Sequence, residues 1–275
     1  MQNKSAEHGE SIDCIVLAGD RKSGDPLAAA AGVSGKALVP VADKPMLQHV
    51  LSTLASWPGG GRLVLVAPDL SAYRAIAAAA WPESRTQELL WIPPAASLVD
   101  SVSKALQMCR SQRCLLLTAD HVLLSTAWLD ELIGQSSESG AALALGLADW
   151  HAVMERFPGS RRTRYRFSDL SACGTNLFFL KDRQATHRVL ALWRQVEQER
   201  KKPWRIVSLL GYRNLALYLT GRLRLAEAFA ALSERVGAEL LPVLIRDPLA
   251  AVDVDSPQDL ALVEQVLADR ERSGC

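Results

Sequence analysis

The chain has 275 residues, 49% of them apolar and 22% charged, enough for one large α/β domain with a full core. Thirty-one Lys and Arg stand against thirty Asp and Glu, and the resulting formal charge of +1 argues against the broad positive field of a nucleic-acid binder. No apolar run reaches the roughly 18 residues of a membrane span. The polar opening MQNKSAEHGE carries no signal-peptide core, and five cysteines at unpatterned spacing suit reduced thiols, so a cytoplasmic protein is expected.

The first strand is CIVLAG, from Cys14. A loop with four glycines, Arg21 and Lys36 follows, and only then a helix from Pro45 to Trp57. Loops longer than about 12–15 residues are usually functional or disordered. RLVLVAP (Arg62–Pro68) and LLWIP (Leu89–Pro93) read as strands, each followed by a helix, Ser71–Ala80 and Leu98–Cys109. CLLLTAD (Cys114–Asp120) is a further strand and Thr126–Ile133 a further helix. The strands are continuous apolar runs, as expected when helices cover both faces, and repeated βα units imply a mostly parallel, doubly wound sheet.

The second half is mixed. AALALGLAD and TNLFFLK read as strands around the basic segment RFPGSRRTRYRF. A leucine-rich helical insertion spans about 183–236, broken near Pro203 and Gly211, and reads as core packing, a homodimer face or a lipid-facing surface. ELLPVLI and AAVDV read as closing strands. The last helix starts at Ser256 as N-cap, with Pro257 in its first turn and Asp259 at the capping-box position. The simplest organisation is one domain, with a half at 12–135 and a second at 136–275.

Ligands of such sheets sit beyond the carboxyl ends of the strands. Gly19, Arg21, Lys22 and Lys36 there offer close backbone approach and cations, which fits a polyphosphate site or a solvated basic loop. The loop is neither a Walker P-loop nor a dinucleotide fingerprint. Asp120, directly after an apolar strand, suits a hard cation or a helix cap. Asp253 and Asp255 alternate on the supposed last strand and so share a face. His121 reads as structural or as a contact to a base edge. The arginines at 156, 161, 162, 164 and 166 form either a charged edge or a clamp for an anionic substrate. Cys109 and Cys114 have no second Cys/His pair to complete a zinc site.

LAGDR, GKALVPVADKPMLQHVL, DSVSKAL, LLLTAD and VDVDSPQDL occur in the order found in MobA-like NTP transferases, and over 15–267 the chain resembles that superfamily. It keeps Leu17, Ala18, Gly19, Arg21, Lys36, Lys44, Pro45 and Met46 of the family pattern, and departs from it in having one glycine where the family has a pair. The resemblance implies a Rossmann-like, GT-A-type fold with an NTP-binding first half and an acceptor-binding second half. It implies Mg²⁺-dependent transfer of CMP or GMP to a phosphorylated or hydroxyl-bearing small molecule, with release of pyrophosphate. By carry-over, Leu17, Ala18, Gly19, Arg21, Lys36 and Ser101 bind the nucleotide, and Arg21, Lys36 and Asp120 are catalytic. Asp120 with Asp253 or Asp255 holds the metal, while Gly174, Thr175 and Asn176 meet the acceptor. Two alternatives are a GT-A glycosyltransferase, which would carry D-x-D where Asp120-His121-Val122 stands, and a non-catalytic nucleotide-binding module.

Overall fold

The computed structural model describes residues 11–19, 24–81, 89–199 and 211–273. β1 (Ile12–Leu17), β4 (Gly60–Val66), β5 (Leu89–Ile92) and β6 (Cys114–Thr118) are mutually parallel. β7 (Leu143–Asp149) and β10 (Leu240–Leu244) are parallel to each other, and β9 (Ser171–Leu180) runs antiparallel between β6 and β7. The sheet order is β10-β7-β9-β6-β1-β4-β5, with the short β8 (Tyr165–Arg166) paired to the start of β9. The mostly parallel α/β sheet expected from the sequence is therefore present.

Alternation along β1 explains the layers. Cys14 and Val16 point into one core and Ile15 and Leu17 into another. The first core packs beneath α2 (Met46–Ser56), α3 (Ser71–Ala80), α5 (Thr126–Ser137) and the C-terminal helix Pro257–Arg272; the second packs beneath α4 (Leu98–Met108) and α7 (Arg183–Glu199). All six β1 residues are buried, including Asp13. Its carboxylate is satisfied by the backbone N–H groups of Arg62, Arg110 and Ser111 at 3.2, 2.6 and 3.0 Å. Asp13 thus ties the edge of the sheet remote from the site.

The long first loop is only partly irregular. It holds α1 (Pro26–Ala30), capped by Asp25, and a single 3₁₀ turn, Lys36–Leu38. Next come the two-residue strands β2 (Pro40–Val41) and β3 (Lys44–Pro45), joined through Ala42 and Asp43 at φ 46° and 65°. Two left-handed central residues make a tight hairpin whose twist suits its strands.

α6 (Trp150–Arg156) precedes β8, and within the insertion α8 (Tyr212–Leu219) and α9 (Leu225–Val236) follow α7. The break near Pro203 lies outside the described residues. One expectation is corrected: AAVDV is not a strand. Pro248–Ala251 is a 3₁₀ turn initiated by Asp247, whose carboxylate accepts from Leu249 N at 3.0 Å. Among the described residues no strand lies beside the extended residues that follow. Val254 N instead donates to the carbonyl of Asp120, 3.2 Å away in the loop after β6. Burial still alternates, Val252 and Val254 being fully enclosed, so Asp253 and Asp255 face away from the core as the spacing implied. The final helix, α10 (Pro257–Arg272), begins at Ser256 as expected.

Candidate active site

Leu17 at the end of β1 pairs with Val66 on one side and Thr118 on the other, so the loops after β1, β4 and β6 leave the same edge. The chain turns away in opposite directions from the β1–β6 seam, which makes that seam the topological switch point of the sheet. Leu17 and Ala18 are buried there as backbone, with Ala18 N bonded to Val66 O at 2.8 Å. At Gly19 a Cβ would stand 3.0 Å from the Pro94 side chain, so glycine allows the loop after β5 to close over the end of β1. Arg21 lies outside the described residues.

Lys36 comes from the 3₁₀ turn and reaches into this edge. Its Nζ donates to Asp120 Oδ2 at 2.5 Å and also pairs with Asp255 Oδ1. Thr118 at the end of β6 donates its hydroxyl to Asp120 Oδ1 at 2.5 Å. Burial pulls the Lys36 ammonium down, but Asp120 and Asp255 outweigh it and hold the lysine above its ordinary value. Burial likewise opposes ionisation of Asp120, and Lys36 and Thr118 prevail, keeping the carboxylate below its usual range.

Asp253 lies beside this pair with both oxygens engaged. Arg162 Nη1 donates to Oδ1, and Asn176 Nδ2 donates to Oδ2 at 2.9 Å. A second nitrogen of Arg162 reaches the Asp253 carbonyl at 2.9 Å and Asp259 Oδ1 at 2.7 Å. Burial, followed by repulsion from Asp120, pushes Asp253 up to about 6 despite Arg162. Four carboxylates, Asp120, Asp253, Asp255 and Asp259, thus share two cations, Lys36 and Arg162. Among the described residues no three His, Cys, Asp or Glu side chains already form a metal-ligating group.

Arg162 and Thr118 were not distinguishable from sequence, since nothing separates Arg162 from the other arginines of its run. Asp259 caps α10 as read, accepting the Ser256 hydroxyl at 2.6 Å, and in addition anchors Arg162. Arg164 sits elsewhere, 4.4 Å over the Trp150 ring with its Nη2 2.8 Å from Ser171 Oγ. His121 is enclosed and stacked on Trp128 at 5.6 Å, away from any ligand edge. Ser101 is also buried; its hydroxyl accepts from Ala95 N at 2.9 Å and donates to Ser97 O at 3.0 Å, shaping the loop after β5 from beneath. Of the acceptor trio, Gly174 is exposed with open space where a Cβ would stand, Thr175 is buried, and Asn176 faces Asp253 with φ 54°.

A family model for the MobA-like NTP transferase domain matches residues 14–239. The chain belongs to this family. It is a nucleotidyltransferase by membership, and the edge that gathers Lys36 and Asp120 lies within the matched span. Among solved structures, the NTP transferase chain is similar to a hypothetical transferase from Thermus thermophilus, with 30% identity and TM-score 0.75, over 91% of this chain and 99% of that one. It shares its fold with a CMP:2-keto-3-deoxy-manno-octonic acid synthetase complexed with CTP, at 14% identity and TM-score 0.60, over 94% and 99% of the two chains. The same holds for a 4-diphosphocytidyl-2C-methyl-D-erythritol synthase from Anaerococcus prevotii, at 11% identity and TM-score 0.56, over 94% and 96%. No curated protein matches the chain. Among the described residues no helix is long and apolar enough to cross a membrane.

Proposed function

We propose that this transferase moves a nucleoside monophosphate, CMP or GMP, from its triphosphate to a phosphorylated or hydroxyl-bearing small-molecule acceptor with Mg²⁺. The observation that carries the reading is the convergence of Lys36 and Asp120 with Asp255 at the β1–β6 seam, beside the loops of Gly19 and Pro94. An acceptor oxygen, either an ionised phosphate oxygen or a hydroxyl oxygen that gives its proton to solvent water, attacks the α-phosphorus, the bond from that phosphorus to the α,β-bridging oxygen breaks, and pyrophosphate leaves with the electron pair. Such transfer depends on positioning and on neutralising charge that builds on the phosphates. Lys36 supplies a cation for the β- and γ-phosphates, and Arg21 is assigned the same task. Leu17, Ala18 and Gly19 present backbone to the nucleotide, and Ser101 holds the loop that flanks the base.

The donor set fits magnesium, which takes one or two carboxylates together with phosphate oxygens and water. Asp120 and Asp255 are the pair for it, because they converge on one point at the strand edge, the Lys36 ammonium, whereas Asp253 is turned to Arg162 and Asn176. When bound, the ion supplies charge neutralisation at the reacting phosphate. Asp253 then orients Asn176, which with Gly174 borders the acceptor space, while Thr175 between them is buried against Gly146. A phosphate acceptor is already ionised and needs no general base, consistent with a histidine at 121 that is sealed from solvent. The glycosyltransferase alternative would need a second carboxylate at 122, where a buried valine stands.

The test is pyrophosphate release with CTP, GTP, UTP or ATP and Mg²⁺ over a panel of phosphorylated and hydroxylated acceptors, with Asp120→Ala as control. Acceptor-dependent release with one nucleotide, lost in the variant, is the expected result. Release that survives Asp120→Ala would overturn the assignment of the site.

A further inference from the structure

Seven large apolar side chains stand exposed among the described residues, and three of them, Tyr165, Tyr212 and Leu219, lie on β8 and α8. The last two are also the most exposed, at 88% and 73%, while the other five lie between 39% and 45%. No residue of α8 is buried. Tyr212 and Leu219 are seven residues apart and so share one helix face, with exposed Ala216 between them.

The helix is nonetheless fixed in place. Arg222 N donates to Leu217 O at 2.7 Å, closing its C-terminal turn, and Ser168 N donates to Leu223 O at 2.8 Å. Asp169 accepts Leu225 N at 3.0 Å. These bonds moor α8 and α9 to the β8–β9 hairpin, where Tyr165 pairs with Ala172. The apolar stripe therefore adjoins the start of β9, the strand that carries Gly174 and Asn176.

The charge around it is mostly positive. Residues 158–168 and 211–226 contain seven arginines; the carboxylates that border them are Asp169, which pairs with Arg224 at 3.4 Å, and Glu227, which accepts the Arg224 N–H at the start of α9. Arg162 is consumed by Asp253 and Asp259, whereas Arg161, Arg166, Arg213 and Arg222 are exposed. A second copy of the chain docking here through a two-fold axis would set these arginines against themselves. Tyrosine and leucine flanked by arginine match a lipid–water boundary, where the rings and aliphatic chains enter and the guanidinium groups stay with the headgroups.

We propose that α8 and β8 form a docking surface for an anionic lipid bilayer, seated beside the acceptor edge of the enzyme. The surface stands on its own geometry and does not depend on the nucleotidyl-transfer reading. Docked in this way, the molecule turns Gly174 and Asn176 toward the headgroup layer.

The experiment is co-sedimentation of the full chain with phosphatidylcholine vesicles, with and without phosphatidylserine. Wild type binds only the anionic vesicles, and added salt weakens the binding. Tyr212→Ser with Leu219→Ser abolishes it, and Arg213→Gln with Arg222→Gln lowers it about 30-fold. Thermal unfolding of the same variants matches wild type, which shows that they are folded, and calorimetric titration with Mg²⁺ and each triphosphate gives the wild-type result, which separates this surface from the nucleotide site. Equal sedimentation with both vesicle types, none with either, or variants that bind as wild type does would overturn the proposal. So would a wild-type dimer that Tyr212→Ser converts to monomer without any lipid binding, since the surface would then belong to a second copy.

Discussion

Arg162 lies against Asp253 with one guanidinium nitrogen on its carboxylate and another on its backbone carbonyl, and the latter nitrogen also bonds Asp259. Its side chain is only 7% exposed. The residue therefore fastens the segment before β8 to the start of α10, and Asp253 is held in place by both. Removing it leaves two carboxylates in a poorly solvated place without their cation. Arg162→Met is expected to cost about 3–5 kcal/mol of folding stability. Urea denaturation measures this, and a loss below about 1 kcal/mol would show the pair to be no stronger than a surface salt bridge.

Lys36 stands between Asp120 and Asp255 as their shared counter-ion. Lys36→Met takes away that cation and the proposed partner of the triphosphate together. Nucleotidyl transfer should fall by about 100-fold or more, the usual loss for one well-placed electrostatic group. Without nucleotide, however, Mn²⁺ should bind the variant more tightly than wild type, because the carboxylates are released. Isothermal titration with Mn²⁺ reads this directly, and weaker binding by the variant would show that Lys36 assembles the carboxylates instead of competing for them.

Gly146 on β7 faces Thr175 on β9, and a Cβ at Gly146 would collide with the Thr175 hydroxyl oxygen. Among the described residues that oxygen is buried with no hydrogen-bond partner. Gly146→Ala should destabilise by about 1–3 kcal/mol through overpacking. Adding Thr175→Ala should recover most of that, and a double-mutant cycle in thermal unfolding reports the coupling. Additive effects would mean that the strands separate without strain.

His121 is 1% exposed, and burial pushes it down to about 4, against the attraction of Asp120. Its folded value lies below the ordinary 6.5, so the unfolded chain takes up the proton first as pH falls. The stability tied to neutral His121 is intact above pH 6.5 and drains as pH falls to about 4, at about 1.4 kcal/mol per pH unit. His121→Leu should flatten that limb. Chemical denaturation at pH 7, 6 and 5 compares the two proteins, and parallel curves would show that His121 is protonated freely in the fold.

Much of the site was legible because its signals are local. Lys36 sits in a glycine-bearing loop after a buried strand, and Asp120 ends an apolar run, so each is marked by its own neighbours. Asp253 and Asp255 were located by alternation with Val252 and Val254, although the strand inferred from that alternation is absent. The periodicity reports burial on one side and exposure on the other; whether a neighbouring strand exists is a property of distant chain, here the loop carbonyl of Asp120.

The sequence by itself determined the layering: continuous apolar strands, amphipathic helices with their caps, and the order of chemistry-bearing residues at the strand ends. These follow from short-range sterics and from hydrophobic periodicity, which act within a few residues. Only the tertiary structure decided which cation meets which carboxylate. Lys36 and Asp120 are separated by 84 residues and Arg162 and Asp253 by 91, and charge attracts charge without regard to position in the chain. One arginine of five was chosen for burial because the register of β8 on β9 and the turn at Pro248–Ala251 bring its segment and Asp253 together.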